Sequence, residues 1–89
     1  MGEVLVVYKI MPLDEGIEIK ELKSRIASII PKNVRLERIN EKAIAFGLTA
    51  LEVVLVMKDE EGQTEIVEKA LNSVEGIGSV EATDVSRLL

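Results

Sequence analysis

The sequence predicts an α+β fold, one four-stranded antiparallel sheet with two helices on one face. Three observations carry this. Segments of period-two and of helical hydrophobicity follow one another along 89 residues in the order β-α-β-β-α-β. The apolar stretch from Ala43 to Met57 is broken by charge only at Glu52 and is rich in Thr49, Val53, Val54 and Val56, whose branched side chains suit a pleated central strand. Pro12, Pro31, Gly62 and Gly76 fall between these segments rather than inside them.

Strand one runs from Glu3 to Met11, where Pro12 is expected to end the pairing. Both its faces are apolar apart from Lys9, which places it inside the sheet. Pro12 to Gly16 is a loop with two acids. Helix one spans Ile19 to Ile30. Ile19, Leu22, Ile26, Ile29 and Ile30 recur at three- and four-residue steps, Glu21 and Arg25 form an i, i+4 pair on the polar face, and Pro31 stops the helix. Asp14 and Glu18 are both placed to serve the positive end of its dipole.

Strand two is read over Val34 to Ile39, where Val34 and Leu36 alternate with Arg35 and Glu37 until the pattern slips at Arg38. Arg35, Arg38 and Lys42 gather here in an otherwise acidic chain. They form either a solvated edge guarded by charge or a basic patch for acidic groups on a partner. Strand three covers residues 47 to 58. Thr49, Leu51, Val53, Leu55 and Met57 share a face expected to be buried, and Leu48, Ala50, Glu52, Val54, Val56 and Lys58 share a mixed one. The loop Lys58 to Gly62 lacks the spacing of a calcium site. Helix two starts at Gln63 or Thr64, with Thr64 as a possible N-cap, and runs to Val74. Val67, Ala70, Leu71 and Val74 face inward, and Gly76 is the stop. Strand four extends from Ile77 to about Val85, followed by a tail whose Leu88 and Leu89 either pack on the core or serve contact. Two split βαβ units with right-handed crossovers give a ferredoxin-like βαββαβ sandwich of strand order 4-1-3-2, with the most apolar strands in the centre.

Composition limits the chemistry. Residues are 47% hydrophobic and 30% charged, as in a globular single domain spanning 1–89. The chain has no cysteine and no histidine, which removes thiolate sites, the commonest general base and the commonest metal ligand. Gly76-Ile77-Gly78 is followed by neither a third glycine nor a helix, no phosphate loop occurs, and no nucleophile–base pair stands out. An enzyme is not expected, nor a cofactor or metal. A net charge of −5 with one Tyr, one Phe and no Trp disfavours nucleic acid. No signal peptide opens the chain, and its apolar runs fall short of the ~20 residues that span a bilayer, so a cytoplasmic protein without membrane contact is expected.

The only phenylalanine precedes Gly47. The pair reads either as a bulge with a core aromatic or as an exposed aromatic on a bent loop aimed at a partner.

At Ala43-Ile44-Ala45-Phe46-Gly47-Leu48-Thr49-Ala50-Leu51, with the closing Val80-Glu81-Ala82-Thr83-Asp84-Val85-Ser86-Arg87-Leu88, the chain closely resembles the archaeal elongation factor 1-beta family. Lys9-Ile10-Met11-Pro12 and Val74-Glu75-Gly76-Ile77 agree, so the resemblance covers essentially the whole chain. It implies the sandwich just derived and a guanine-nucleotide exchange factor that speeds GDP release from the GTPase elongation factor 1-alpha. In the eukaryotic relatives an aromatic-glycine turn and the extreme C-terminus contact the GTPase and disturb its Mg²⁺ and phosphate region. Those positions map here to Ile44, Ala45, Phe46 and Gly47, and to Arg87, Leu88 and Leu89. The eukaryotic domain carries a lysine next to last, where this chain has Leu88. Either Arg87 takes its place or exchange works by pushing the GTPase loops through Phe46 and the leucines. The alternative from fold alone is a small-molecule regulatory module with a ligand near Gly76 at a dimer interface. RNA binding on the sheet face is disfavoured by charge and by missing stacking aromatics.

Overall fold

The computed structural model describes residues 2–88. Its elements are β1 (Glu3–Pro12), α1 (Ile19–Ile29), β2 (Arg35–Ala43), a single 3₁₀ turn (Ala45–Gly47), β3 (Thr49–Lys58), α2 (Gln63–Asn72) and β4 (Ile77–Leu88). All pairings are antiparallel and the sheet order is β2-β3-β1-β4, the expected order read from the other edge.

Several ends move for identifiable reasons. Pro12 ends the pairing as expected, but from within the strand rather than just beyond it. It is the last residue of β1, opposite Ile77 across a register irregularity, a strand position where its missing N–H is tolerated. The pattern slip at Arg38 is a β-bulge: Leu36 pairs with Leu55 and Arg38 with Val54, leaving Glu37 extra, and β2 then continues to Ala43 rather than stopping at Ile39. A matching irregularity in β4 leaves Thr83 extra between Ala82 and Asp84, and its hydroxyl donates to the Val7 carbonyl at 3.3 Å. Both edges of the sheet therefore carry a bulge, which hinders pairing with a further strand. β4 runs on to Leu88, so Arg87 and Leu88 belong to a strand. Thr64 is not the N-cap of α2. Gly62, with φ 84, precedes Gln63 in that role. Helix α1 ends at Ile29 because Ile30, before Pro31, is extended at φ −63 and ψ 128.

The core lies between the helices and one sheet face. Val4, Val6, Tyr8 and Ile10 of β1 and Leu51, Val53, Leu55 and Met57 of β3 pack against Leu22, Ile26, Val67, Leu71 and Val74. Fully buried Leu22 and Ile26 contribute roughly 1.5–3 kcal/mol each. The other face of β3 is less mixed than expected. Ala50, Val54 and Val56 are buried there although they stand outside the helix-covered core. Their cross-strand neighbours explain it: Arg38 and Arg35 on β2, and Val7 and Leu5 on β1, flank Val54 and Val56 on either side. Arginine stems shield apolar surface in this way while keeping the charge in water.

Tyr8 is fully buried and donates its hydroxyl hydrogen bond to Glu68 Oε2 at 3.2 Å. Burial, and then the neighbouring Glu68 charge, push its pKa well above the ordinary value near 10. A folded-state pKa above the unfolded one contributes stability that is fully present below pH ~10 and is lost as pH rises beyond it, because the unfolded chain ionises first. Tyr8 is the only tyrosine. Phenolate absorbance is therefore expected to appear together with the loss of circular dichroism in an alkaline titration. An earlier, separate phenolate transition would contradict this.

Candidate functional site

The β2–β3 hairpin closes between Ala43 and Thr49. The Ile44 N–H donates to the Leu48 carbonyl at 2.9 Å, and Leu48 N–H returns a bond to the Ala45 carbonyl at 3.4 Å. Closing so short a loop needs two successive left-handed residues, Phe46 (φ 64, ψ 31) and Gly47 (φ 75). Glycine adopts this region freely, whereas a phenylalanine there costs about 1–2 kcal/mol. Phe46 is also 92% exposed. It is not a core aromatic, and no bulge accounts for it, since the β2–β3 register is unbroken from Arg38 to Ala43. The strain instead holds the aromatic out in water. Ala45 and Gly47 are exposed and Ile44 is half-buried.

The Pro12–Gly16 loop stands beside this tip. A Cβ at Gly47 would lie 3.3 Å from Glu15 Oε2. In the same loop Asp14 Oδ1 accepts from the Gly16 N–H at 2.8 Å, and Leu13, 66% exposed, is tied by its N–H to the Gly76 carbonyl at 2.7 Å. One end of the sheet thus presents exposed Phe46 and Leu13 with Asp14 and Glu15. Leu13 escaped sequence reasoning because its neighbourhood comes from the turn after α2, not from any local pattern. Around Gly76 (φ 99), Ile17 and Arg25 come within 3.5 Å of where a Cβ would stand, and Arg25 Nη1 donates to the Glu75 carbonyl at 2.9 Å. The backbone there approaches the protein's own side chains closely.

The tail lies elsewhere. Arg87 stands opposite Val4 and Leu88 opposite Glu3. Arg87 Nε is 3.4 Å from Asp59 Oδ2, and Asp59 N–H donates to the Gly2 carbonyl at 2.9 Å. Leu89 lies outside the described residues. Because β3 separates the hairpin from this end by ten residues, the two candidate segments are roughly 30 Å apart, on a molecule 41 Å long. The structure does not bring Ile44–Gly47 and Arg87–Leu88 together. They mark its two ends.

Between them, on the sheet face without helices, Glu52 accepts from Asn40 Nδ2 at 3.2 Å and pairs with Lys42 Nζ at 3.0 Å. These contacts, that of Asn40 first, hold its carboxyl below the usual carboxylate range. Among the described residues no acidic cluster is arranged to hold a metal ion, and no helix is long and apolar enough to cross a membrane.

Comparison with known proteins gives a consistent picture. The family model for the EF-1 guanine nucleotide exchange domain matches residues 5–88. The chain is 43% identical over 89 residues to elongation factor 1-beta of Methanothermobacter thermautotrophicus, covering all of both chains. It is 44% identical to the proteins of that name from Methanosphaera stadtmanae, again covering all of both, and from Aeropyrum pernix, covering 99% of each. Among solved structures, the C-terminal domain of the MgtC protein from Mycobacterium tuberculosis superposes with a TM-score of 0.57 at 14% identity, over 98% of this chain and 88% of that one. That likeness is one of fold.

Proposed function

Because the chain belongs to the family of EF-1 guanine nucleotide exchange domains, we propose that it promotes exchange of GDP for GTP on elongation factor 1-alpha by binding near that GTPase's nucleotide and Mg²⁺ site. The contact segments are Ile44, Ala45, Phe46 and Gly47 at one end and Arg87, Leu88 and Leu89 at the other. The observation that carries this is Phe46, held 92% exposed in a left-handed conformation that a phenylalanine adopts only at a cost. Such strain persists where the surrounding structure enforces it and function uses it.

Exchange requires no bond-making groups. A GTPase grips GDP through backbone amides, a lysine and Mg²⁺. A protein that binds the nucleotide-poor form more tightly than the GDP form lowers nucleotide affinity by that same ratio. A rigid sheet gripping the GTPase at two points about 30 Å apart supports one arrangement of its loops over another, which a single small contact does not. At the tail end, Arg87 offers a positive charge to the phosphate region from which Mg²⁺ must leave, and Asp59 steadies the guanidinium.

The test is stopped-flow release of a fluorescent GDP analogue from the elongation factor 1-alpha of the same organism. A large acceleration by this protein is expected, and none at saturating concentration would overturn the proposal. Arg87→Ala is expected to slow release about tenfold, equivalent to ~1.4 kcal/mol. Arg87 is largely exposed, so folding is left intact. An unchanged rate would remove the tail charge from the mechanism.

A further inference from the structure

Among the described residues the large apolar side chains left exposed are Leu13, Phe46, Ile66 and Val85. The exchange reading uses only Phe46. Leu13 stands at the same end of the sheet, because it follows the last residue of β1 while Phe46 precedes the first residue of β3, and β1 and β3 are antiparallel neighbours. One strand spacing sideways and two or three residues along put the two on the order of 10–15 Å apart. Leu13 is also held in place. Its N–H donates to the Gly76 carbonyl at 2.7 Å, the Ile17 N–H closes a turn onto the Asp14 carbonyl at 3.3 Å, and Asp14 Oδ1 accepts from the Gly16 N–H at 2.8 Å. Single scattered apolar residues are ordinary on a surface, but two at one end, each fixed by its backbone, form a patch. A 66% exposed leucine on a fixed turn buries little for the fold and is preorganised for contact.

We infer that Leu13 is a second apolar anchor for the partner GTPase, seated with Phe46 against one patch that also brings a lysine or arginine to Glu15. The inference rests on the exchange reading and deepens it, by extending the hairpin contact across the end of the sheet and stating the chemistry of what meets it. Area argues for the extension. A specific interface covers ~800 Å² on each partner, a disc of roughly 16 Å radius. A partner that encloses Phe46 on that scale reaches Leu13. Charge then sets what the partner carries. Arg25 is bound to Glu21, Lys23 to Glu41 and Lys42 to Glu52, and Lys9 stands opposite both Glu52 and Glu81. That leaves Asp14, Glu15, Glu18 and Glu75 at this end, against Lys20 and Lys69, the latter in the last turn of α2. The surplus is negative, so a basic side chain is the complement. A second copy of this chain fits less well, because a two-fold contact would set the same carboxylates against themselves.

The experiment compares Leu13→Ser with Ile66→Ser, a comparable loss of apolar surface from α2, where Ile66 is 58% exposed. Affinity for nucleotide-free elongation factor 1-alpha is measured at low and high salt. Leu13→Ser is expected to weaken binding about tenfold at both salts, while Ile66→Ser stays within about twofold of the unmodified protein. Leu13→Gln, which keeps the length and removes the apolar end, is expected to match the serine variant, and Leu13→Met, which keeps an apolar side chain of similar volume, to bind within about twofold of the unmodified protein. Glu15→Lys reverses a charge that forms no ion pair among the described residues. It is expected to weaken binding about tenfold at low salt and less at high salt. Equal affinities for the Leu13 and Ile66 variants, with exchange by the unmodified protein intact, would overturn the Leu13 contact alone. So would self-association of this protein that Leu13→Ser abolishes while GTPase affinity holds. Undiminished binding by Glu15→Lys at low salt would overturn the basic side chain on the partner. Failure of the unmodified protein to bind the GTPase would overturn the exchange reading as well.

Discussion

Phe46→Ala is expected to reduce the acceleration of GDP release by about 30-fold, the ~2 kcal/mol of an aromatic interface anchor, with no loss of stability. The side chain is 92% exposed, so its removal takes nothing from the core. Phe46→Gly sharpens the test. Glycine accepts φ 64 without penalty, so this variant is expected to unfold at the same denaturant concentration or slightly higher, while losing exchange as the alanine variant does. Urea unfolding and stopped-flow release, run on the same preparations, separate the two quantities. Full exchange by both variants would show that the aromatic is not a contact, and the strain at the hairpin would then lack a functional reason. A variant that is more stable and inactive would show the opposite, that the chain keeps a destabilising residue for what it touches.

Much of this architecture is written in alternation. Leu51, Val53, Leu55 and Met57 share a face in the sequence and in the core, and the two most apolar strands are central. The slip from Leu36 to Arg38 blurred strand two because a bulge breaks the period-two pattern that defines a strand, although the slip itself marks the bulge. Burial of Val54 and Val56 was not legible, since it depends on which arginines the neighbouring strand places beside them. Nor did Phe46-Gly47 decide between core and surface: either residue order suits a bulge or a tip, and only hairpin closure makes both left-handed. The separation of the two candidate segments followed from the topology once strand order was known. In an antiparallel sheet ordered 4-1-3-2, the end of β4 lies beside the start of β1, and the start of β3 beside its end. A motif resemblance names both segments without carrying that geometry.

The same topology ties stability to the Phe46 end through one glycine. At Gly78, near the start of β4, a Cβ would lie 2.8 Å from the Pro12 carbonyl oxygen and 3.1 Å from Leu13 Cα. Those are backbone atoms, so a methyl group there must move the β1–α1 loop rather than turn a side chain aside. Gly78→Ala is expected to cost about 1–3 kcal/mol and lower the melting temperature by roughly 5–15 °C. Gly62→Ala is the comparison. At φ 84 it is strained too, but nothing lies within 4 Å of its Cβ. Its cost is expected to be about 1 kcal/mol, with exchange unaffected. The variants should differ most in function. The loop that Gly78→Ala displaces holds Leu13 against Gly76 and Glu15 against Gly47, next to Phe46. Measured well below both melting temperatures, Gly78→Ala is therefore expected to slow GDP release several-fold and Gly62→Ala not at all. Slowing in proportion to lost stability in both would mean that the hairpin tip is insensitive to its neighbouring loop. Slowing in Gly78→Ala alone would mean that the two loops present Phe46 as a unit.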